Sequence, residues 1–297
     1  MVGSIATSPA VDLSTVPAPE LVAQPDLAAR RAGKLARLIE LHAEFTALVE
    51  SDPAVKLIEA DSYDEQVLAQ AFNDTARGLL LAYASGSNLD QLGALNDVAR
   101  LVVTPATETT AAVLESDASF RQRIQLARHS FSVAGPELAY VHHARAAHGD
   151  VADATATSPA PGDVVVTVMS RSNGGVPSAD VLSAVAALLK GPVRPLTDRV
   201  TVQEAQPVRY AIEAEIFPFA GPDQQLILDT ARKSLDAYLA STRKLGRDIA
   251  CSAHIAALHV GNVQRVRLIS PAADTPVDMA HFPEPTVINL RIGGTEL

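Results

Sequence analysis

Tryptophan is absent from this 297-residue chain, aromatic residues make up only 4%, and cysteine occurs once, at Cys251. Each scarcity excludes something. A single thiol forms no intrachain disulfide, so nothing points to an oxidising compartment. With so few rings, the cores must be built from Ala, Val, Leu and Ile. Runs of Lys and Arg do not exceed a pair such as Arg30-Arg31, and the formal net charge is −10. Sequence-independent nucleic-acid binding needs a positive face to displace phosphate counterions, so nucleic acid is not an expected partner, and neither is an anionic membrane. No apolar run reaches the roughly 18–20 residues that span a bilayer. Met1 to Ala6 has neither a basic start nor a long apolar stretch and does not read as a secretory signal. The chain is expected to fold in the cytoplasm of the cell that makes it.

What is present is globular. Hydrophobic residues are 47% and charged residues 20%, in a chain long enough for two or three cored modules. Residues 1–26 carry Pro9, Pro17, Pro19 and Pro25 and read as an extended arm, because proline fixes φ and lacks an amide donor. Such an arm buries little against its own chain and commonly finds cover on a neighbour. Leu35, Leu38, Ile39, Leu41, Phe45 and Leu48 recur at helical steps, predicting a helix over 27–49 that Asp52-Pro53 breaks. Val67, Leu68, Ala71, Phe72, Ala76, Leu79 and Leu80 predict a second one over 63–83. Gly86 suits a left-handed helix end. Asn88 and Gln91 sit at capping spacing for a short third helix, whose Leu89, Leu92 and Leu95 should pack inward. Two further helices are expected, around Phe120 and Ile124 and after Gly135-Pro136.

After Asp150 the period changes. Val164, Val166 and Val168 alternate with Val165, Thr167 and Met169, as in a strand. A helix with Val181, Val185 and Leu189 and a strand at Val200 follow. The same order recurs with a strand over 208–217, a helix with Leu228, Ala231 and Leu235, a helix over 249–258 and a strand over 263–269. Pro271 to Pro285 reads as a loose linker before a last strand over 287–292. The expected fold class is therefore α+β: a helical N-terminal half, then two small α/β modules with mixed sheets, in an elongated multidomain chain. The expected divisions are an arm over 1–26, a helical domain over 27–150, and α/β domains over 151–205 and 206–297.

Chemical constellations are weak. His142 and His143 are consecutive on a helix and point about a hundred degrees apart, so they do not share a ligand face, and His254 and His259 are five apart. Cys251 lies near a helix start, where a thiolate can be stabilised, but a small buried hydrophobe is the simpler reading. No Gly-x-Ser-x-Gly elbow or phosphate loop occurs. Glu213 and Glu215 share a strand face, which alternation with Ile212, Ala214 and Ile216 explains as a wet side. Asn73-Asp-Thr75 matches a glycan acceptor only formally, since it falls in a helix. No cofactor or metal is expected. A cytoplasmic hydrolase remains an alternative, using His142, His143 or Cys251 beside carboxylates. So does a soluble adaptor.

The stretch from Leu81 to Arg100 is the most distinctive. It runs from an apolar helix end through Ala-x-Gly-x-x-Leu-Asp-x-Leu to an arginine, placed here at Ala84, Gly86, Leu89, Asp90, Leu92 and Arg100. This resembles the signature of the baseplate J-like family of contractile phage tails. Val11 to Glu20, Ser119 to Arg123, Ala134 to Tyr140, Ser158 to Gly162, Val193 to Asp198 and Leu245 to Ile249 resemble the family in the same order. The resemblance implies a structural wedge subunit of a tail or tail-like particle, without enzymatic activity. It helps assemble the baseplate and transmits host contact to sheath contraction. Expected partners are other wedge subunits, copies of itself, hub and sheath-proximal proteins and a tail-fibre attachment protein. Such a protein would assemble in the host cytoplasm and end in the tail baseplate. Read physically, the leucines set the angle after the Gly86 turn. Asp90 faces the positive end of the short helix or binds Arg100.

Overall fold

The computed structural model describes residues 13–23, 26–44, 49–131, 135–219 and 223–294. The chain divides into two compact units. One holds the described residues up to Ala99 together with Asp117–Ile124. The other holds Arg100–Ser116 and the described residues from Gln125 onwards.

The first unit is helical. α1 spans Leu27–Leu41 and α2 spans Pro53–Gly78. α1 stops eight residues before the expected end, and Phe45 and Leu48 lie outside the described residues. α2 starts ten residues before the expected Tyr63. Asp52-Pro53 opens this helix rather than breaking the previous one, since Asp52 accepts from Ala54 N at 2.8 Å and Pro53 takes the first helical position. The far end of α2 falls at Gly78, short of Tyr83. Arg30 meets Glu65 at 2.8 Å, and Lys34 meets Asp61 at 2.6 Å and Glu65 at 2.9 Å. Ion pairs like these, partly open to solvent, hold helices only weakly.

Of the expected arm, residues 1–12, 24 and 25 lie outside the described residues. Its described part forms a 3₁₀ turn at Leu13–Thr15 and then runs to α2. There the buried Asn73 amide accepts from Leu21 N at 3.1 Å and Val22 N at 3.0 Å and donates to Val22 O at 2.9 Å. This side chain satisfies three backbone groups that a short extended segment cannot pair by itself.

The second unit carries the sheets. A short antiparallel pair, β1 at Val102–Thr104 and β2 at Val113–Leu114, comes first. α4 (Asp117–Ala127) belongs to the helical unit up to Ile124 and enters the sheet unit at Gln125, and α5 spans Glu137–Ala147. β3 (Val151–Ala160), β4 (Asp163–Ser170), α6 (Ala179–Leu189) and β5 (Arg199–Glu204) follow. Their sheet has the order β3-β4-β5, antiparallel between β3 and β4 and parallel between β4 and β5, with α6 as the crossover that a parallel pair needs. α5 and α6 cover it, and Tyr140, Ala144, Val166, Val168, Val185 and Leu189 form its core.

The last module contains β6 (Gln206–Pro218), α7 (Gln224–Thr242), α8 (Cys251–Leu258), β7 (Val263–Ser270) and β8 (His281–Ile292). The sheet order is β7-β6-β8, and Ile212, Ala214, Ile216, Ala231, Leu235 and Leu258 fill the core. Asp223 caps α7 by accepting from Gln225 N at 2.8 Å. β8 starts at His281, six residues before the expected strand. Pro283 and Pro285 do not stop it, because β8 is an edge strand with one partner and needs amides on one side only. The architecture is α+β, helical first and with small mixed sheets after.

Leu235→Ala removes a fully buried side chain from the β6–β8 core. A stability loss of about 2–5 kcal/mol is expected in urea unfolding. A loss under about 1 kcal/mol would contradict the packing described.

Candidate functional site

The segment that follows α2 builds a tight joint. Leu80 and Ala84 close a turn, with Ala84 N donating to Leu80 O at 2.8 Å. α3 then spans Gly86–Ala94. Ala84 and Leu89 are fully buried, and Val98, Phe120 and Ile124 lie within the same unit and are also buried. α3 approaches Phe120 so closely that a Cβ on Gly93 would sit 2.4 Å from the ring and 2.7 Å from Val98 O. Glycine is required there by contact rather than by backbone conformation.

Arg121 holds the turn. Its Nε donates to Leu81 O and its Nη2 to Ala84 O, both at 2.7 Å. Two carbonyls of the turn between α2 and α3 are thereby paired by one planar guanidinium. Arg123, also buried, donates from Nη1 to Ala99 O at 3.2 Å. The carboxylate of Asp117 accepts from Gly86 N at 3.2 Å. It stands at the first residue of α3, where the helix dipole favours a negative charge.

The six motif residues occupy different positions within this arrangement. Ala84 and Leu89 are in the packed centre, and Leu92 is partly buried. Gly86 has φ +53°, a conformation that glycine adopts without penalty, but it begins α3 instead of ending α2. The N-cap is Ser85, not Asn88, whose amide instead packs at Gly78. Asp90 is the fifth residue of α3 and exposed, so the dipole role falls to Asp117. Leu95 was expected to point inward and is 81% exposed. Arg100 opens the sheet unit, where its Nη1 donates to Glu115 O at 2.7 Å. Arg121 and Gly93 were not singled out from the sequence, and Asp117 reads there only as a possible cap of the helix around Phe120. Bonds to carbonyls forty residues away leave no periodic trace, and only the Ser119-Phe-Arg-Gln-Arg123 motif pointed to the area.

The chemical candidates resolve into structural roles. His142 and His143 pack edge to face with ring centroids 5.3 Å apart, and burial holds the His143 pKa below its ordinary value. His254 is buried, with Nδ1 2.8 Å from Ala250 O and Nε2 3.2 Å from Tyr210 Oη. Both ring nitrogens are thus taken up, and His254 is not offered to Cys251. The Tyr210 hydroxyl is pushed up to about 12, chiefly by burial. Burial, and then Asp274 beside it, push the Cys251 thiol up, the opposite of an activated thiolate. Glu215 pairs with Arg291 at 2.8 Å and Arg267 at 3.4 Å across the open face of its sheet. A cavity of about 370 Å³ is lined mainly by Tyr140, Ala156, Val164 and Met279. Among the described residues no group of three or more His, Cys, Asp and Glu is arranged to hold a metal ion, and no helix is long and apolar enough to cross a membrane.

The chain matches three successive domain families. They are the baseplate J-like N-terminal domain over residues 50–107, the baseplate J-like central domain over 132–204, and the baseplate J-like protein C-terminal domain over 210–283. It is also 42% identical over 300 residues to baseplate protein J of Escherichia phage P2, covering 97% of this chain and 99% of that protein.

Gly33 of α1 and Gly93 of α3 should respond oppositely to alanine. Gly93→Ala forces Phe120 or Val98 aside and should cost about 1–3 kcal/mol. Gly33→Ala meets nothing within 4 Å and should gain up to about 1 kcal/mol from helix propensity. Thermal unfolding of both variants checks this, and equal shifts would contradict the close approach at Gly93.

Proposed function

The chain belongs to the baseplate J-like family, and from that premise we propose that it serves as a wedge subunit of a contractile tail or tail-like particle. It acts by docking on other subunits, not by turnover. Its partners are other wedge subunits, copies of itself, hub and sheath-proximal proteins and the tail-fibre attachment protein. It assembles in the host cytoplasm and ends in the tail baseplate, where it helps transmit host contact to sheath contraction.

The observation that carries this reading is the uncovered face of α2. Leu57, Leu68, Phe72 and Leu79 are 64–71% exposed. Their spacing of eleven, four and seven residues keeps them on one side of the helix axis. An aligned apolar stripe of this length marks an interaction site more than scattered surface leucines do. α1 carries Arg30, Arg31, Lys34 and Arg37 against Glu40, whereas α2 carries Glu59, Asp61, Asp64, Glu65 and Asp74 against Lys56 and Arg77. This complementarity is used within the chain, where Arg30 and Lys34 pair with Asp61 and Glu65.

In this reading the arm over 1–26 adds contact to a neighbour, 27–150 is the helical wedge core, and 151–205 and 206–297 are the two α/β domains. Ala84, Gly86, Leu89, Asp90, Leu92 and Arg100 maintain the fold around the joint, and assembly contacts are spread over broad surfaces. The hydrolase alternative has no supporting observation.

The test is Leu68→Asp combined with Phe72→Asp. Both side chains are exposed in the single chain, so the circular dichroism spectrum should be unchanged. Removing two buried apolar anchors from an interface should reduce the yield of complete tails by about tenfold or more. Unchanged yield from the folded double variant would overturn the role of this face.

A further inference from the structure

We propose that the two three-stranded sheets are locked into one rigid body across Ala205, clamped by Lys244–Gly246 and Asp278–Phe282, so that load passes between them without bending. Only one residue separates β5 from β6, and it is no free linker. Ala205 is fully buried, and its N–H donates to Val168 O at 2.9 Å, continuing the ladder that pairs Glu204 with Val168. On its other side Gln206 N donates to Ala280 O at 3.0 Å. One extended run is therefore the edge of the first sheet and the centre of the second. A hinge needs residues free to change φ and ψ, and here the backbone is paired on both sides of the junction.

Side chains from both modules close over that junction. Met169, Ala205, Leu245 and Phe282 form one buried cluster, with Ala152 packed against it. The Phe282 ring lies against Gly175, where a Cβ would sit 2.4 Å from it, and the φ of +95° there also favours glycine. Arg243 stacks over the same ring at 5.2 Å and pairs with Glu284 at 2.8 Å. Two polar contacts cross between the modules. Thr155 Oγ1 donates to Met279 O at 2.6 Å, and Leu245 N donates to Asp153 Oδ2 at 3.2 Å. Asp153 takes Ala154 N on its other oxygen, at 3.0 Å, and lies in the field of Arg145 and Lys244. Domains joined by small polar contacts move by default, whereas a buried apolar junction with satisfied polar groups does not.

Spin-label distances on the full chain test this. Labels go on the exposed positions of α6 and α7 through Ser183→Cys and Lys233→Cys, with Cys251→Ser removing the native thiol. One narrow distance distribution is expected. Adding Asp153→Ala, Thr155→Val and Phe282→Leu, with folding checked by circular dichroism, should broaden it by about twofold or more. A broad distribution without these changes would overturn the proposal. So would an unchanged width in the folded triple variant. If the triple variant does not fold, Thr155→Val alone is read by the same criterion.

Discussion

The fifteen residues of α1 all remain at least partly in solvent, and the twenty-six of α2 bury only Val55, Ser62, Ala69 and Asn73. Helices of this length are marginal in water by themselves, and most of their stability in proteins comes from packing an apolar face. Three ion pairs partly open to solvent do not replace that packing. The helical pair is consequently the part of the molecule whose apolar surface most needs cover from outside, and the stripe through Leu68 and Phe72 is where that cover is missing. Under the proposed docking of that stripe on other subunits, the helical pair gains stability on assembly and folding is linked to it.

The rest of the chain is organised differently. Each three-stranded sheet is covered by two helices and has a core built mainly of Val, Ile, Leu and Ala, with Tyr140 the one buried ring in the first, which answers the shortage of aromatic residues. Burial at Ala205 and Phe282 makes these two halves continuous. In the helical unit the stiff element is local. Arg121 bonded to two carbonyls, Phe120 against Gly93 and Asp117 at the start of α3 fix the direction of the chain after α2. The molecule thus combines a helical pair with an exposed apolar stripe and a scaffold of two closed sheet cores. Cys251 and His143 are shifted towards their neutral forms, chiefly by burial.

Much of this was legible in the residue pattern, and the failures have specific causes. The change of period after Asp150, the alternation over Val164 to Met169 and the helix around Val181, Val185 and Leu189 all reflect burial against a single core, so local patterning suffices. The α2 start was misread because Asp-Pro both ends and begins helices, and only the Asp52 bond to Ala54 N distinguishes them. The β8 start was hidden by Pro283 and Pro285, which read as linker unless the strand is known to lie at an edge. Leu95 was assigned inward from spacing alone, although the helix ends one residue before it. In the joint, the family motif located the right segment. The groups that hold it, Arg121 and Asp117, act over long sequence separations that no local pattern encodes.

Amide hydrogen exchange across α1 and α2, compared between the isolated chain and assembled tails, tests the central claim most directly. The account predicts fast exchange in these helices in the isolated chain, while α6 and α7 are protected, and strong protection of α1 and α2 once the subunit is assembled. Equal exchange of α1 and α2 in the free and assembled states would contradict it.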